Sequence, residues 1–304
     1  MKYLIIGGAG FIGSNLSKYL FNKGHDIIVC DNLHTGSKAN IAELEDDIVF
    51  YNKNCKGLDA NELEGIDGIY HMGIYSSSPM YKENNNLVGE VINEFLHVLG
   101  LARDMDVRMV WASTSSIYNG NPTPWREDMP VMVKDYYGEA RYYLERLARL
   151  HYDWYGVSSL AMRFFSVYGP GEEAKRQYAN LVSQFLWAMR DGNNPVLYGD
   201  GSQRRDFIFV SDVIRGLEMA MGSKVKNDIL NLGTGRSCSL LELVDILNDK
   251  MGKEISPAFV ENKIRGYVGE TLADTKKSKE ILGFESKISL ESGIERLLSE
   301  VKRD

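Results

Sequence analysis

The sequence predicts an α/β fold, a doubly wound parallel sheet of the Rossmann type with a smaller mixed α/β domain after it, and three observations predict it. Short apolar runs alternate with segments of helical spacing through the first half of the chain; a glycine cluster stands directly behind the first run; a carboxylate ends the second. Strands that alternate with helices need right-handed crossovers. The result is a parallel sheet covered on both faces.

Taken in order, apolar runs bounded by turn residues predict strands over 4–6, 27–30, 48–51, 68–71, 109–112 and 160–164, with helices near 11–23, 86–104 and 137–155 between them. Beyond about residue 165 the texture changes. Gly169-Pro170-Gly171 and Gly199-Asp200-Gly201 mark loops, and helical spacing returns near 178–191, 211–222, 239–252 and 290–301. The expected division is residues 1–165 for a dinucleotide-binding domain and 166–304 for a substrate domain, with some later segments returning to the first.

The glycine cluster reads Gly7-Gly8-Ala9-Gly10-Phe11-Ile12-Gly13, between the first strand and a helix whose apolar residues Phe11, Leu16, Tyr19 and Leu20 recur at helical spacing. Such a turn lets the backbone approach a pyrophosphate, whose charge then rests on the free N–H groups and positive dipole end of the helix. Asp31 lies eighteen residues beyond Gly13 at the end of the second run. A carboxylate there accepts both hydroxyls of an adenine ribose and repels a 2′-phosphate, so the expected cofactor is NAD rather than NADP.

The 304 residues, 44% hydrophobic, suffice for a large core, and the formal charge of −7 argues against a general nucleic-acid or anionic-membrane surface. Cys30, Cys55 and Cys238 are widely spaced and odd in number, with no CxxC pattern, which points to a reducing cytoplasm and to no metal. No apolar stretch approaches membrane-spanning length, and the few apolar residues ahead of the glycines are too short for a signal-peptide core.

Two clusters bear chemistry. In Asp135-Tyr136-Tyr137-Gly138-Glu139-Ala140-Arg141 a tyrosine and a cation stand four apart at a helix start, so both project from one face. A fixed positive charge favours a phenolate and suits the tyrosine to act as a general base. In Ser113-Thr114-Ser115-Ser116-Ile117-Tyr118 hydroxyls gather at the carboxyl end of a strand, where open α/β sheets bind ligands. Thr114 is placed to hydrogen-bond a substrate oxygen.

The order of motifs resembles the extended short-chain dehydrogenase/reductase superfamily, in particular its NAD-dependent nucleotide-sugar epimerase and dehydratase branch. The resemblance runs from Gly7-x-x-Gly10-x-x-Gly13 through Asp31-Asn32, His71-Met72-Gly73, Asn86-Leu87-Val88-Gly89, Ser113-Thr114, Tyr137-Gly138 and Arg163-Phe164-Phe165-Ser166-Val167-Tyr168-Gly169-Pro170. It continues through Gly199-Asp200-Gly201-x-Gln203-x-Arg205-Asp206-Phe207 and Asn231-x-Gly233-Thr234-Gly235. It implies Tyr137 as catalytic base, Thr114 as its hydroxyl partner and Arg141 beside them. It implies NAD contacts from Gly7, Gly10, Phe11, Ile12, Gly13, Asp31, Asn32, Asn54 and Cys55, with Met72, Gly73, Ile74 and Asn86 on the nicotinamide side. Ser166, Asn180, Leu181, Arg205 and Arg265 would meet a nucleotide-diphosphate sugar, and related proteins form homodimers.

Four positions depart from the family pattern. Arg141 replaces the lysine that follows the tyrosine, Ser166 an asparagine, Asn54 an aspartate that reads the adenine amino group, and Asn119 a glycine. Dehydratases of the family carry Asp-Glu after the threonine, and glucuronate decarboxylases a glutamate in the same segment; this chain has Ser115 and Ser116. The reading that results is a C4 epimerase of a UDP-hexose, working through a 4-keto intermediate. A net C4 oxidoreductase, a 4,6-dehydratase and an inactive NAD-holding relative stand as alternatives. Tyr142, Tyr143, Leu144, Leu147, Leu150 and Tyr155 put apolar residues on more than one side of the helix after Tyr137, which suits a homodimer.

Overall fold

The computed structural model describes residues 1–263 and 267–301. Six strands, β1 (Lys2–Ile6), β2 (Asp26–Asp31), β3 (Val49–Asn52), β4 (Gly68–His71), β5 (Arg108–Thr114) and β6 (Ser159–Phe164), lie where the apolar runs predict them. A seventh, Asn227–Leu232, pairs with β6 in parallel register, from Asn227 beside Ser159 to Leu232 beside Phe164. The sheet runs from this seventh strand through β6, β5, β4, β1 and β2 to β3, and every pairing in it is parallel. The chain order reverses between β1 and β4. A crevice opens at their carboxyl ends.

Alternate residues of each strand enter different cores because side chains point to opposite faces of a sheet. On one face Ile5, Val29, Val110 and Met162 pack with Leu16 and Leu20 of α1 (Phe11–Asn22). On the other, Leu4, Ile6, Ile28, Ile69 and Trp111 pack with Val91, Phe95 and Val98 of α3 (Leu87–Asp104) and Leu144 of α4 (Tyr136–Tyr155). A short helix α2 (Ser78–Glu83) precedes α3.

The second half contains α5 (Leu181–Arg190), α6 (Val210–Gly222), α7 (Leu240–Met251), α8 (Lys276–Leu282) and α9 (Leu290–Val301). Its apolar residues, among them Phe185, Leu217, Leu243 and Ile294, join the same core as Ile5 and Val29. The two halves share one interior. The seventh strand and α8 have no counterpart in the sequence-based expectation: the run Ile229-Leu230-Asn231-Leu232 is short and broken by a polar residue. Among the described residues no helix is long and apolar enough to cross a membrane.

Candidate active site

The glycine turn closes directly on the end of β4. Gly7 has φ of 75°, and a Cβ there would run into the backbone of Gly73; one at Gly13 would strike the carbonyl of Gly7. Only glycine permits this approach. Gly7 N–H donates to the Cys30 carbonyl at 2.8 Å and Met72 N–H to that of Ile6 at 2.8 Å, which fixes both strand ends to their neighbours. Gly10 caps α1 without a side chain, so that helix start offers its backbone donors outward.

A cleft of about 110 Å³ follows, lined by Gly7, Gly10, Phe11, Ile12, Gly13, Asp31, Asn32, Met72, Gly73 and Ile74. Asp31 is buried, and its carboxylate accepts from Ala9 N at 3.0 Å and Leu33 N at 2.7 Å. Burial pushes its pKa up, against the pull of those backbone donors. The carboxylate is thereby held rigid at the cleft wall, with lone pairs left for ribose hydroxyls.

Beside this cleft a cavity of about 340 Å³ brings together Thr114, Ser115, Ser116, Tyr137, Arg141, Ser166, Asn180 and Arg205, with Phe11, Ile12, Met72 and Ile74 shared between the two spaces. Tyr137 and Arg141 owe their places to the start of α4. Asp135 caps that helix by accepting from Gly138 N at 2.8 Å, and its other oxygen takes a hydrogen bond from Ser78 Oγ at 2.5 Å. The Arg141 guanidinium lies 5.3 Å from the centroid of the Tyr137 ring. Its Nη2 donates to the carbonyls of Ile74 at 3.2 Å and Tyr75 at 2.7 Å. Its Nε and Nη1 are buried with no partner. Two orphaned charged donors on the cavity wall mark a place for a ligand's oxygens. The glycine turn, the anchored Asp31 and these donors together fit a dinucleotide.

Thr114 ends β5 and caps the turn that follows, its Oγ1 accepting from Ser116 N at 3.1 Å. That bond orients the hydroxyl, and its hydrogen is left to donate into the cavity. Behind it Ser113 Oγ donates to Glu145 at 2.7 Å, and Arg163 closes on the same carboxylate with bonds of 2.8 and 2.6 Å. This buried pair fixes β5, β6 and α4 beneath the cavity floor.

The expected site residues are placed unevenly. Asn54 and Cys55 line a small recess beyond Asp31, but the Asn54 carbonyl oxygen already accepts from Lys56 N at 2.9 Å. Asn180 reaches the cavity while its Oδ1 caps α5, accepting from Val182 N at 3.0 Å. Arg205 is buried; its Nη1 donates to the Arg204 carbonyl at 2.8 Å, and desolvation lowers its pKa. Leu181 packs against the core instead of lining the cavity. Asn86 is exposed at the start of α3 and is not among the residues lining either space; the α3 residue at the cleft is Glu94, two turns further on. Arg265 lies outside the described residues.

Several lining residues escaped the sequence reading. Ser76, Ser77 and Ser78 follow β4, and a run of three hydroxyls past a strand end was a legible signal. Lys175 was not. It pairs with Glu172 at 2.9 Å and sits over the Phe11 ring at 5.3 Å, contacts no local spacing announces.

A model of the NAD dependent epimerase/dehydratase family matches residues 3–233. The chain is 31% identical over 313 residues to a protein of Methanocaldococcus jannaschii named putative UDP-glucose 4-epimerase, spanning 99% of this chain and 98% of that one. Among solved structures, UDP-glucose 4-epimerase of Thermotoga maritima with UDP-glucose superposes at a TM-score of 0.92 and 28% identity, over 100% of this chain and 99% of that one. UDP-glucuronic acid 4-epimerase of Bacillus cereus, in complex with UDP-glucuronic acid and NAD, gives 0.89 and 25% over the same shares.

Proposed function

The chain belongs to the NAD dependent epimerase/dehydratase family, and from that premise we propose that it is an enzyme inverting C4 of a nucleotide-diphosphate sugar, a UDP-hexose in the first instance. NAD is its cofactor; held by the glycine turn at Gly7, Gly10 and Gly13 and by Asp31, it would supply reversible hydride acceptance for oxidation and re-reduction at C4 of the sugar. One observation carries the reading. Among the described residues, the cavity that holds Tyr137, Thr114 and Arg141 is lined by apolar side chains, hydroxyls and cations and by no aspartate or glutamate.

Tyr137 is the base that takes the proton of the C4 hydroxyl and later gives it back. Thr114, oriented by the bond from Ser116 N–H, donates to the same oxygen and fixes its direction. Arg141 offers its free Nε and Nη1 to the hydroxyls of the nicotinamide ribose while carbonyl tethers hold it in place. Arg205 faces the diphosphate, where a guanidinium fork suits phosphate oxygens. Eliminating water from the sugar needs a carboxyl acid and base near C5. Ser115 and Ser116 supply neither.

The similarity to 4-epimerases that act on UDP-sugars supports the choice of substrate. We also read the chain as a cytoplasmic homodimer joined through the outer side of α4, where Tyr143, Leu150 and Trp154 stay exposed. The test is turnover of UDP-, GDP- and dTDP-sugars with products resolved by chromatography. Tyr137→Phe is expected to abolish epimerisation with unchanged thermal unfolding; near-normal turnover by that variant would falsify the mechanism. Steady growth of NADH absorbance with added NAD would instead mark a net oxidoreductase.

A further inference from the structure

The recess beyond Asp31 contains a carboxylate that the mechanism does not use. Glu94 projects from α3, is 6% exposed, and lines both the cofactor cleft and the small recess that Cys30, Asn32, Lys53, Asn54 and Cys55 complete. The recess opens off the cleft at the ends of β2 and β3 and shares Gly7, Asp31, Asn32, Gly73 and Glu94 with it, so a base carried beyond a ribose on Asp31 would reach it.

Asn54 stands at the same place, with one lone pair of its amide oxygen and one amide hydrogen already engaged and its orientation thereby fixed. Its Oδ1 accepts from Lys56 N at 2.9 Å and its Nδ2 donates to Glu94 Oε1 at 2.5 Å. Among the described residues Asn54 is the only hydrogen-bond donor to Glu94, which leaves Oε2 as an open acceptor at the recess. We propose that Glu94 reads the base of NAD: its carboxylate, oriented by Asn54, accepts the 6-amino hydrogen of adenine. Asn54 is then a positioning residue, and the acceptor function sits on the helix instead of on the loop. This inference rests on NAD as cofactor and not on the sugar chemistry.

Nicotinamide hypoxanthine dinucleotide tests it, because that compound differs from NAD at the base in presenting a carbonyl where adenine has an amino group. The full chain, cleared of any nucleotide retained on purification, is titrated with each compound and equilibrium binding is measured directly. The expected result is at least a tenfold preference for NAD. In Glu94→Gln, Asn54 still donates to the retained Oε1, so an NH2 group faces the base and the preference falls to within twofold or reverses. Equal binding of the two compounds by the unaltered protein overturns the proposal without recourse to a variant, and so does a full tenfold preference in a folded Glu94→Gln. Loss of sugar turnover with the preference intact would instead count against the epimerase reading alone.

Discussion

Asp31, proposed to hold the adenine ribose, shows how a single residue would set the cofactor's behaviour. Its burial raises the carboxyl pKa above the ordinary 3.8, while the form that accepts ribose hydroxyls is the ionised one. Binding NAD therefore favours deprotonation. On acidification the free protein takes up a proton that the complex resists, and NAD affinity falls, starting above pH 3.8. Titrating NAD against the protein between pH 7 and 4 should show that fall, and Asp31→Asn should bind more weakly with most of the slope removed; a flat profile in the unaltered protein contradicts the assignment. Asp31 was legible because a carboxylate at a strand end, at a fixed distance from a glycine turn, leaves a local mark. Glu94 was not, since its proposed role follows from the face of α3 that meets the loop at Asn54. Asn86 shows the same limit: a motif does not say which face of a helix its residues take, and here Asn86 is exposed at the start of α3.

At the scale of elements, α4 does most of the positioning. Its start is set by Asp135 and its end by Gly156 in a left-handed conformation with φ of 73°, bounds that agree with the helix expected over 137–155. Its middle carries Glu145, whose side chain is 2% exposed against an equally buried Arg163. Removing one partner of such a pair leaves an uncompensated buried charge. Glu145→Ala should therefore destabilise the fold by roughly 3–5 kcal/mol in denaturant unfolding. A loss under about 1 kcal/mol would mean that water or rearrangement relieves Arg163. The outer side of the helix makes a separate prediction. If the exposed side of α4 joins two copies as proposed, Leu150→Glu, at a position 43% exposed and away from the cavity, should leave only monomers in sedimentation with the fold intact, where the unaltered protein sediments as a dimer. The helical spacing announced α4 and its several apolar sides; which side faces outward was settled only by packing against α3 and the sheet.

For the molecule as a whole, the controlling feature is the seventh strand. It borders β6 along its full length and belongs to chain that comes after α5 and α6. The sequence-based boundary at residue 165 thus cuts through an interior to which Phe164 and Leu217 both contribute. A fragment ending at 165 should be aggregated or protease-sensitive, because it exposes the edge of β6 and the sheet face that α6 covers. A stable, NAD-binding fragment 1–165 would show that the late strand is dispensable. The broad architecture was readable because alternating strands and helices have few solutions. That some later segments return to the first domain was expected; which segment returns, and to which edge, was not readable, since edge pairing between distant segments carries no local periodicity.

That return also governs how relatives can be recombined. A chimera joined at residue 165 would border one parent's sheet with a strand inherited from the other, and the parental side chains along that seam would meet without having been selected together. Grafting a new sugar preference onto this protein is better done by exchanging the short stretches that reach the cavity, at Ser76–Ser78 and Phe165–Val167, than by swapping its halves.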